Sequence, residues 1–269
     1  MNGSVYQTPG SLLNQIRSKK PVVHSITNFV VMNSTANVLL AMGASPIMAH
    51  APEEMEDLSR ISDALVINIG TLSLGWIESM HKACQTFREV SKPIVLDPVG
   101  AGATQLRTDT ARELISLYTP TVVRGNASEI LSLSLEEGST RGVDTVHGVD
   151  DAMNQARAIA EETGCVIAVT GERDYLTDGA RSVFVSGGDP MMQYVTGTGC
   201  AASVIVAAFV AVGEDPLMAA ASALAFFGLA AQKAIKKSQG PGSFWMHTLD
   251  ALHGIEPAEL DAEARIDVQ

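Results

Sequence analysis

Five short clusters hold the residue types that could do chemistry in this sequence: Ser25 to Asn28, Asp97 to Gly102, Arg124 to Glu129, Thr170-Gly171-Glu172 and Thr196 to Cys200. The last is the most pointed. Gly197 and Gly199 stand directly before a small, apolar turn, Ala201-Ala202-Ser203, so bare backbone N–H groups would face outward at a helix start. Such a start attracts anions, and glycine lets the backbone come close to phosphate oxygens. On local pattern alone, a plain strand-to-helix turn is the other reading.

Asp97-Pro98-Val99-Gly100-Ala101-Gly102 puts an acid ahead of a glycine-rich turn, which suits a carboxylate holding Mg²⁺ directly or through water, or simply an Asp that forms a turn. In Arg124-Gly125-Asn126-Ala127-Ser128-Glu129, Asn126 as N-cap with Glu129 three residues on has the form of a capping box. A capping box leaves Arg124 unexplained. A charge at a strand end is costly, and a polyphosphate partner would offset that cost. Cys200 falls in a first helical turn, where the dipole can lower a thiol pKa; as a base toward an alcohol it is weak, and as a buried residue it is ordinary. His24, His50 and Met48 lie at strand ends, positions where such residues are more often core or surface than ligand.

Two familiar nucleotide loops are excluded by spacing. No Gly-Lys-Ser/Thr ending follows a glycine loop, so there is no Walker A motif. Gly197, Gly199 and Ala202 fit a relaxed dinucleotide pattern, but Glu214-Asp215-Pro216 then opens a second helix where that pattern calls for a strand ending in an acid.

The elements that must position these clusters follow from periodicity. Strands are predicted at Val22 to His24, Ser45 to Ala49, Ala64 to Asn68, Ile94 to Asp97, Thr121 to Arg124 and Val166 to Thr170, with helices such as Asn33 to Met42, Gly75 to Val90 and Asp150 to Thr163 between them. That alternation is the pattern of a parallel α/β sheet, in which ligands bind at the C-terminal strand ends, where all five clusters lie. An Asp178-Gly179 turn predicts a hairpin of Asp174 to Thr177 with Arg181 to Ser186, extended by Met191 to Val195. Leu135 to Val149 lacks periodicity and reads as a loop, either a lid or a long connection. The acidic tail Pro257 to Gln269 reads as a frayed surface element. Glu214-Asp215-Pro216 cuts the apolar stretch Ala201 to Ala234 into two pieces, which favours a buried helix pair over a membrane span.

Composition narrows the partners. The 269 residues, read as one domain, carry a formal net charge of -12 and no basic cluster larger than a Lys-Lys pair, so nucleic acid is excluded. Three scattered cysteines, Cys84, Cys165 and Cys200, fit neither a disulfide framework nor a zinc site and point to a reducing cytoplasm. The N-terminal segment has no apolar run of the signal-peptide kind. Hydrophobic residues make up 46% and aromatics only 5%, so small aliphatic side chains must fill the core.

From Leu12 to His253 the chain resembles the hydroxyethylthiazole kinases of the ribokinase-like superfamily. The resemblance rests on His24-Ser25-Ile26-Thr27-Asn28-Phe29-Val30, Asp97 to Gly102, Arg124 to Glu129 and Thr196 to Cys200. It implies a three-layer αβα sandwich with a mostly parallel sheet and an antiparallel hairpin, and ATP-dependent phosphorylation of 4-methyl-5-(2-hydroxyethyl)thiazole in thiamine salvage. It further implies Mg²⁺ as cofactor and a homotrimer with sites at subunit interfaces. By the same resemblance Arg124 and Thr170 are ATP contacts, Asn28 lies near the phosphates, Met48 and Gly197 are thiazole contacts, and Asp97 and Glu129 are metal-linked acids. Gly199 and Cys200 cap the anion hole and complete the catalytic set with Arg124. Many superfamily kinases carry Asp where Cys200 stands, and the thiazole kinases resemble this chain in carrying Cys. A kinase for the pyrimidine alcohol of the same pathway, or a binding protein without turnover, would present the same clusters.

Overall fold

The computed structural model describes residues 7–134 and 149–269. Its strands are Val22–Ile26 (β1), Ser45–Ile47 (β2), Ala64–Asn68 (β3), Ile94–Asp97 (β4), Val122–Asn126 (β5), Val166–Thr170 (β6), Arg173–Thr177 (β7), Ser182–Ser186 (β8) and Arg265–Val268 (β9). Among the described residues they form one sheet, ordered β2-β1-β3-β4-β5-β6-β7-β8-β9. Strands β2 to β6 pair in parallel, and β7, β8 and β9 are each antiparallel to the strand before them.

Side-chain alternation along each strand builds two cores. Ala64 and Val66 face one side of the sheet, where Pro9–Lys19, Met32–Met42, Thr198–Val210 and Pro216–Ile235 pack. Leu65 and Ile67 face the other, under Leu74–Glu89, Gln105–Tyr118 and Val149–Thr163. The result is a three-layer αβα sandwich. Pro216–Ile235 is long and apolar enough to cross a membrane, yet Leu217, Phe226 and Ala230 on it are fully buried in the first core. Each large apolar side chain buried this way contributes about 1.5–3 kcal/mol.

Predicted and observed strands agree to within about two residues, a spread common to element ends. Two predictions at the antiparallel edge are corrected. Met191 to Val195 is no strand: Pro190–Tyr194 is a 3₁₀ turn, opened by Pro190 and capped by Asp189 Oδ1, which accepts the Met191 N–H at 2.8 Å. The tail is not frayed either. Pro257–Glu263 is helical, and Arg265–Val268 pairs with β8, Val183 opposite Val268. Backbone pairing to a strand some 80 residues away leaves no trace in local composition. The segment read as a loop, Leu135 to Val149, lies outside the described residues except for Val149, the first residue of a helix.

Candidate active site

β3 and β4 end in register, with Asn68 paired to Asp97, and alternation turns both side chains toward the helix Thr198–Val210. Asp97 is fully buried. Its Oδ2 accepts hydrogen bonds from Asn68 Nδ2 at 2.8 Å and Ser203 Oγ at 2.9 Å. Its Oδ1 accepts none among the described residues, and Arg124 Nη1 stands 3.9 Å away. Burial pushes the Asp97 carboxyl up to about 6 against the pull of the Arg124 guanidinium.

Arg124 comes from β5, on the same face of the sheet. Its Nη2 donates to Thr170 Oγ1, which can in turn donate to the Gly125 carbonyl at 3.3 Å, while its Nε is buried with no acceptor among the described residues. Beside it, the expected capping box forms: Asn126 Oδ1 accepts the Glu129 N–H at 2.9 Å, and Glu129 Oε2 accepts the Asn126 N–H at 2.8 Å. The other oxygen, Oε1, accepts the Gly100 N–H at 2.9 Å. Glu129 therefore staples the glycine loop after Asp97 to the loop after Arg124. Gly100 itself has φ +74°, a conformation that glycine adopts without strain.

The glycines shape the helix start as their positions suggest. Gly197 takes φ +84° and packs so tightly on Val31 that a β-carbon there would stand 2.6 Å from Val31 Cγ1. The Ala201 N–H starts the helix ladder on the Gly197 carbonyl at 2.8 Å, so the N–H groups of Thr198, Gly199 and Cys200 precede it and point out of the helix end. Thr198 Oγ1 donates to the Met192 carbonyl at 3.1 Å, pinning the 3₁₀ turn to the helix start. Arg124 Nη1 lies directly over Gly199.

Cys200 Sγ accepts from Asn68 Nδ2 at 3.2 Å and Asn28 Nδ2 at 3.5 Å. Any lowering by the helix dipole is outweighed: burial, reinforced by the nearby Asp97 carboxylate, pushes the thiol up to about 11. Desolvation outweighs the hydrogen bonds, and thiolate is scarce at neutral pH.

Asn28, Asp97, Arg124, Glu129, Thr170, Gly199 and Cys200 thus meet at one end of the sheet. Gly197 adjoins them through the helix start. Met48 does not: it follows the edge strand β2, three strands from Asp97, or roughly 14 Å at the usual strand spacing. His24 is buried, with Nε2 bonded to the Ala49 carbonyl at 2.9 Å, and His50 stacks on Trp76 with ring centroids 4.8 Å apart. Neither histidine reaches the cluster's hydrogen bonds. Sequence reasoning missed Asn68, Ser203 and Arg107. Arg107 ties the loops after β3 and β4 together by donating to the Val99 carbonyl at 2.5 Å and the Gly70 carbonyl at 2.7 Å. Asn68 was visible as a polar end to an apolar strand, and Ser203 as the one hydroxyl in an apolar helical turn; nothing local marks Arg107.

The model of the hydroxyethylthiazole kinase family matches residues 13–258. The chain belongs to that family. A hydroxyethylthiazole kinase from Desulfotalea psychrophila is 53% identical over 96% of this chain and 95% of its own length. The solved structure of a hydroxyethylthiazole kinase from Pyrococcus horikoshii superposes with a TM-score of 0.90 at 46% identity, covering 97% of this chain and 98% of that one. A ribokinase-like superfamily protein from Enterococcus faecalis shares the fold, with a TM-score of 0.64 at 14% identity over 90% of this chain and 93% of its own. As a kinase of this family with a ribokinase-like sandwich, the chain sets its polar cluster at the C-terminal strand ends, the place where open α/β sheets bind ligands.

Proposed function

We propose that this kinase, acting as one domain, transfers the γ-phosphoryl group of ATP to the hydroxyl of 4-methyl-5-(2-hydroxyethyl)thiazole in thiamine salvage. The observation that carries the reading is the juxtaposition of a buried, half-satisfied carboxylate, a half-buried guanidinium and a helix N-terminus. In the transfer, the alcohol oxygen bonds to the γ-phosphorus as the bond to the departing ADP breaks, and the alcohol proton leaves to a phosphoryl oxygen or to water. Such a reaction asks the protein chiefly for positioning and charge neutralisation.

The geometry supports the following roles. Arg124, steadied by Thr170, faces the phosphates, with Asn28 at their edge. The Thr198, Gly199 and Cys200 amides receive the transferring group, and Cys200 positions the alcohol, since a thiol held near 11 is a poor proton acceptor. Gly197 borders the thiazole, and Met48, three strands from Asp97, borders it where two subunits share a site.

Mg²⁺ fits the acids on one count that matters. Among the described residues no group of three or more His, Cys, Asp or Glu side chains is placed to hold a metal. Mg²⁺ in kinases needs no such group; one or two carboxylates, substrate phosphates and waters suffice. Asp97 Oδ1, buried and without a hydrogen-bond donor among the described residues, is the oxygen that would hold it, with Glu129 nearby as loop staple and second acid. Bound there, the ion would neutralise phosphate charge.

The reading includes a homotrimer in the cytoplasm with sites shared between subunits. It is supported by Phe29 and Val30, each 66% exposed beside Asn28, by the distance of Met48 from the cluster, and by three free cysteines. The test is ADP release with the thiazole alcohol, with and without Mg²⁺, and with the pyrimidine alcohol as comparator. Turnover that requires both thiazole and Mg²⁺ is expected. Equal or faster turnover of the pyrimidine, or binding without product, overturns it.

A further inference from the structure

Asn68 ends β3 with 1% of its surface exposed and uses every hydrogen-bonding position of its carboxamide. Its orientation is fixed by a group that can only donate: the Gly70 N–H reaches Asn68 Oδ1 at 3.0 Å, which turns the nitrogen the other way. Asn28 is fixed in the same manner. Its Oδ1 takes the Val30 N–H at 3.0 Å, so its nitrogen faces Asn68 Oδ1 at 2.9 Å. Asn68 Nδ2 then has two hydrogens and two acceptors in reach, Asp97 Oδ2 at 2.8 Å and Cys200 Sγ at 3.2 Å. With Ser203 also donating to Oδ2, that oxygen is fully committed, and Oδ1 is the one left toward Arg124.

We propose that Asn68 is a positioning residue for phosphoryl transfer: its shared carboxamide nitrogen decides which oxygen of Asp97 is left toward Arg124 and holds that carboxylate in register with the Cys200 thiol. The proposal rests on the reading of the cleft given above. Asn68 acts through Asp97 and Cys200 and touches no substrate. Of the polar atoms around it, only a side chain with two hydrogens on one nitrogen and an acceptor behind it serves all four partners.

The test is Asn68→Asp, which keeps the shape and the acceptor but replaces the shared donor with an oxygen. The readouts are kcat and KM for both substrates, thermal unfolding, and Mn²⁺ binding to the enzyme–ADP complex by electron paramagnetic resonance. Expected are a loss of kcat of about tenfold or more, a thiazole KM changed less than about threefold, and Mn²⁺ affinity weakened about tenfold, the size typical when a group that orients a metal-binding side chain is removed. Should the new acid beside Asp97 prevent folding, Asn68→Ser is measured in its place with the same expectations. A folded variant whose kcat and Mn²⁺ affinity stay within about twofold of the parent overturns the proposal, as does a loss confined to thermal stability. Asp97→Asn is measured in parallel. If it keeps full turnover, the reading of the cleft fails; if it loses turnover while the Asn68 variants do not, only the assignment of Asn68 fails.

Discussion

Arg124 and Gly199 are in such close contact that a β-carbon on Gly199 would stand 2.8 Å from Arg124 Nη1. The guanidinium is laid against the very amides that open the helix Thr198–Val210, so one positive charge and one helix N-terminus face the same space. Gly199→Ala resolves the clash by pushing aside the far end of a flexible side chain, which costs little stability and moves the charge. The expected outcome is a Tm within a few degrees of the parent and kcat/KM for ATP lowered by about tenfold or more, the scale of one misplaced electrostatic group. Unaltered kinetics would show that the contact does not position Arg124.

Arg124→Ala removes the charge itself. Turnover should fall by more than about tenfold, in line with single electrostatic contributions to a transition state. The fold should tolerate the change at the cost of the Thr170 Oγ1 hydrogen bond and of a cation near the Asp97 carboxylate, since among the described residues Arg124 Nε has no acceptor to lose and Nη1 stands 3.9 Å from Asp97 Oδ1. Steady-state kinetics beside a thermal melt separate the two effects; an Arg124→Ala enzyme at full speed removes this residue from the phosphate site.

Cys200→Asp tests what the thiol does. Asn68 and Asn28 both donate to Sγ, and a carboxylate at that position accepts the same two N–H groups. If Cys200 positions the alcohol, the aspartate variant should turn over within about tenfold of the parent, because the loose transition state depends on placement more than on a strong base. A folded, inactive variant would mean that the thiol itself is needed.

Asp174 gives a pH signature. Burial pushes its carboxyl up to about 6, opposed by the Gly171 N–H and by Arg124. An acid whose folded pKa is raised takes up a proton on folding, so its contribution to stability is full at low pH and is lost as pH rises through about 6. Asp174→Asn keeps the acceptor for Gly171, whose N–H bonds Oδ1 at 3.0 Å, without the partly buried charge. In urea unfolding the variant should exceed the parent at pH 8, with the gap closing as pH falls from about 6 toward 4. A gap that is constant or widens on acidification would contradict the assignment.

What the sequence determined by itself is most of the elements and their order. The αβ alternation, the Asp178-Gly179 hairpin and the glycines of Gly197 to Gly199 all rest on interactions between residues a few positions apart, and local pattern records these. The capping box at Asn126 and Glu129 was legible for the same reason. Tertiary structure alone decided the rest. Asp97 meets Asn68 through strand register, Ser203 and Cys200 reach it from a helix about a hundred residues on, and Arg265–Val268 finds β8 by backbone pairing. The Cys200 thiol shows how far the two levels can part. Its place in a first helical turn argued for a lowered pKa, and burial beside a carboxylate raised it, because desolvation is set by everything packed around a group and not by its neighbours in the chain.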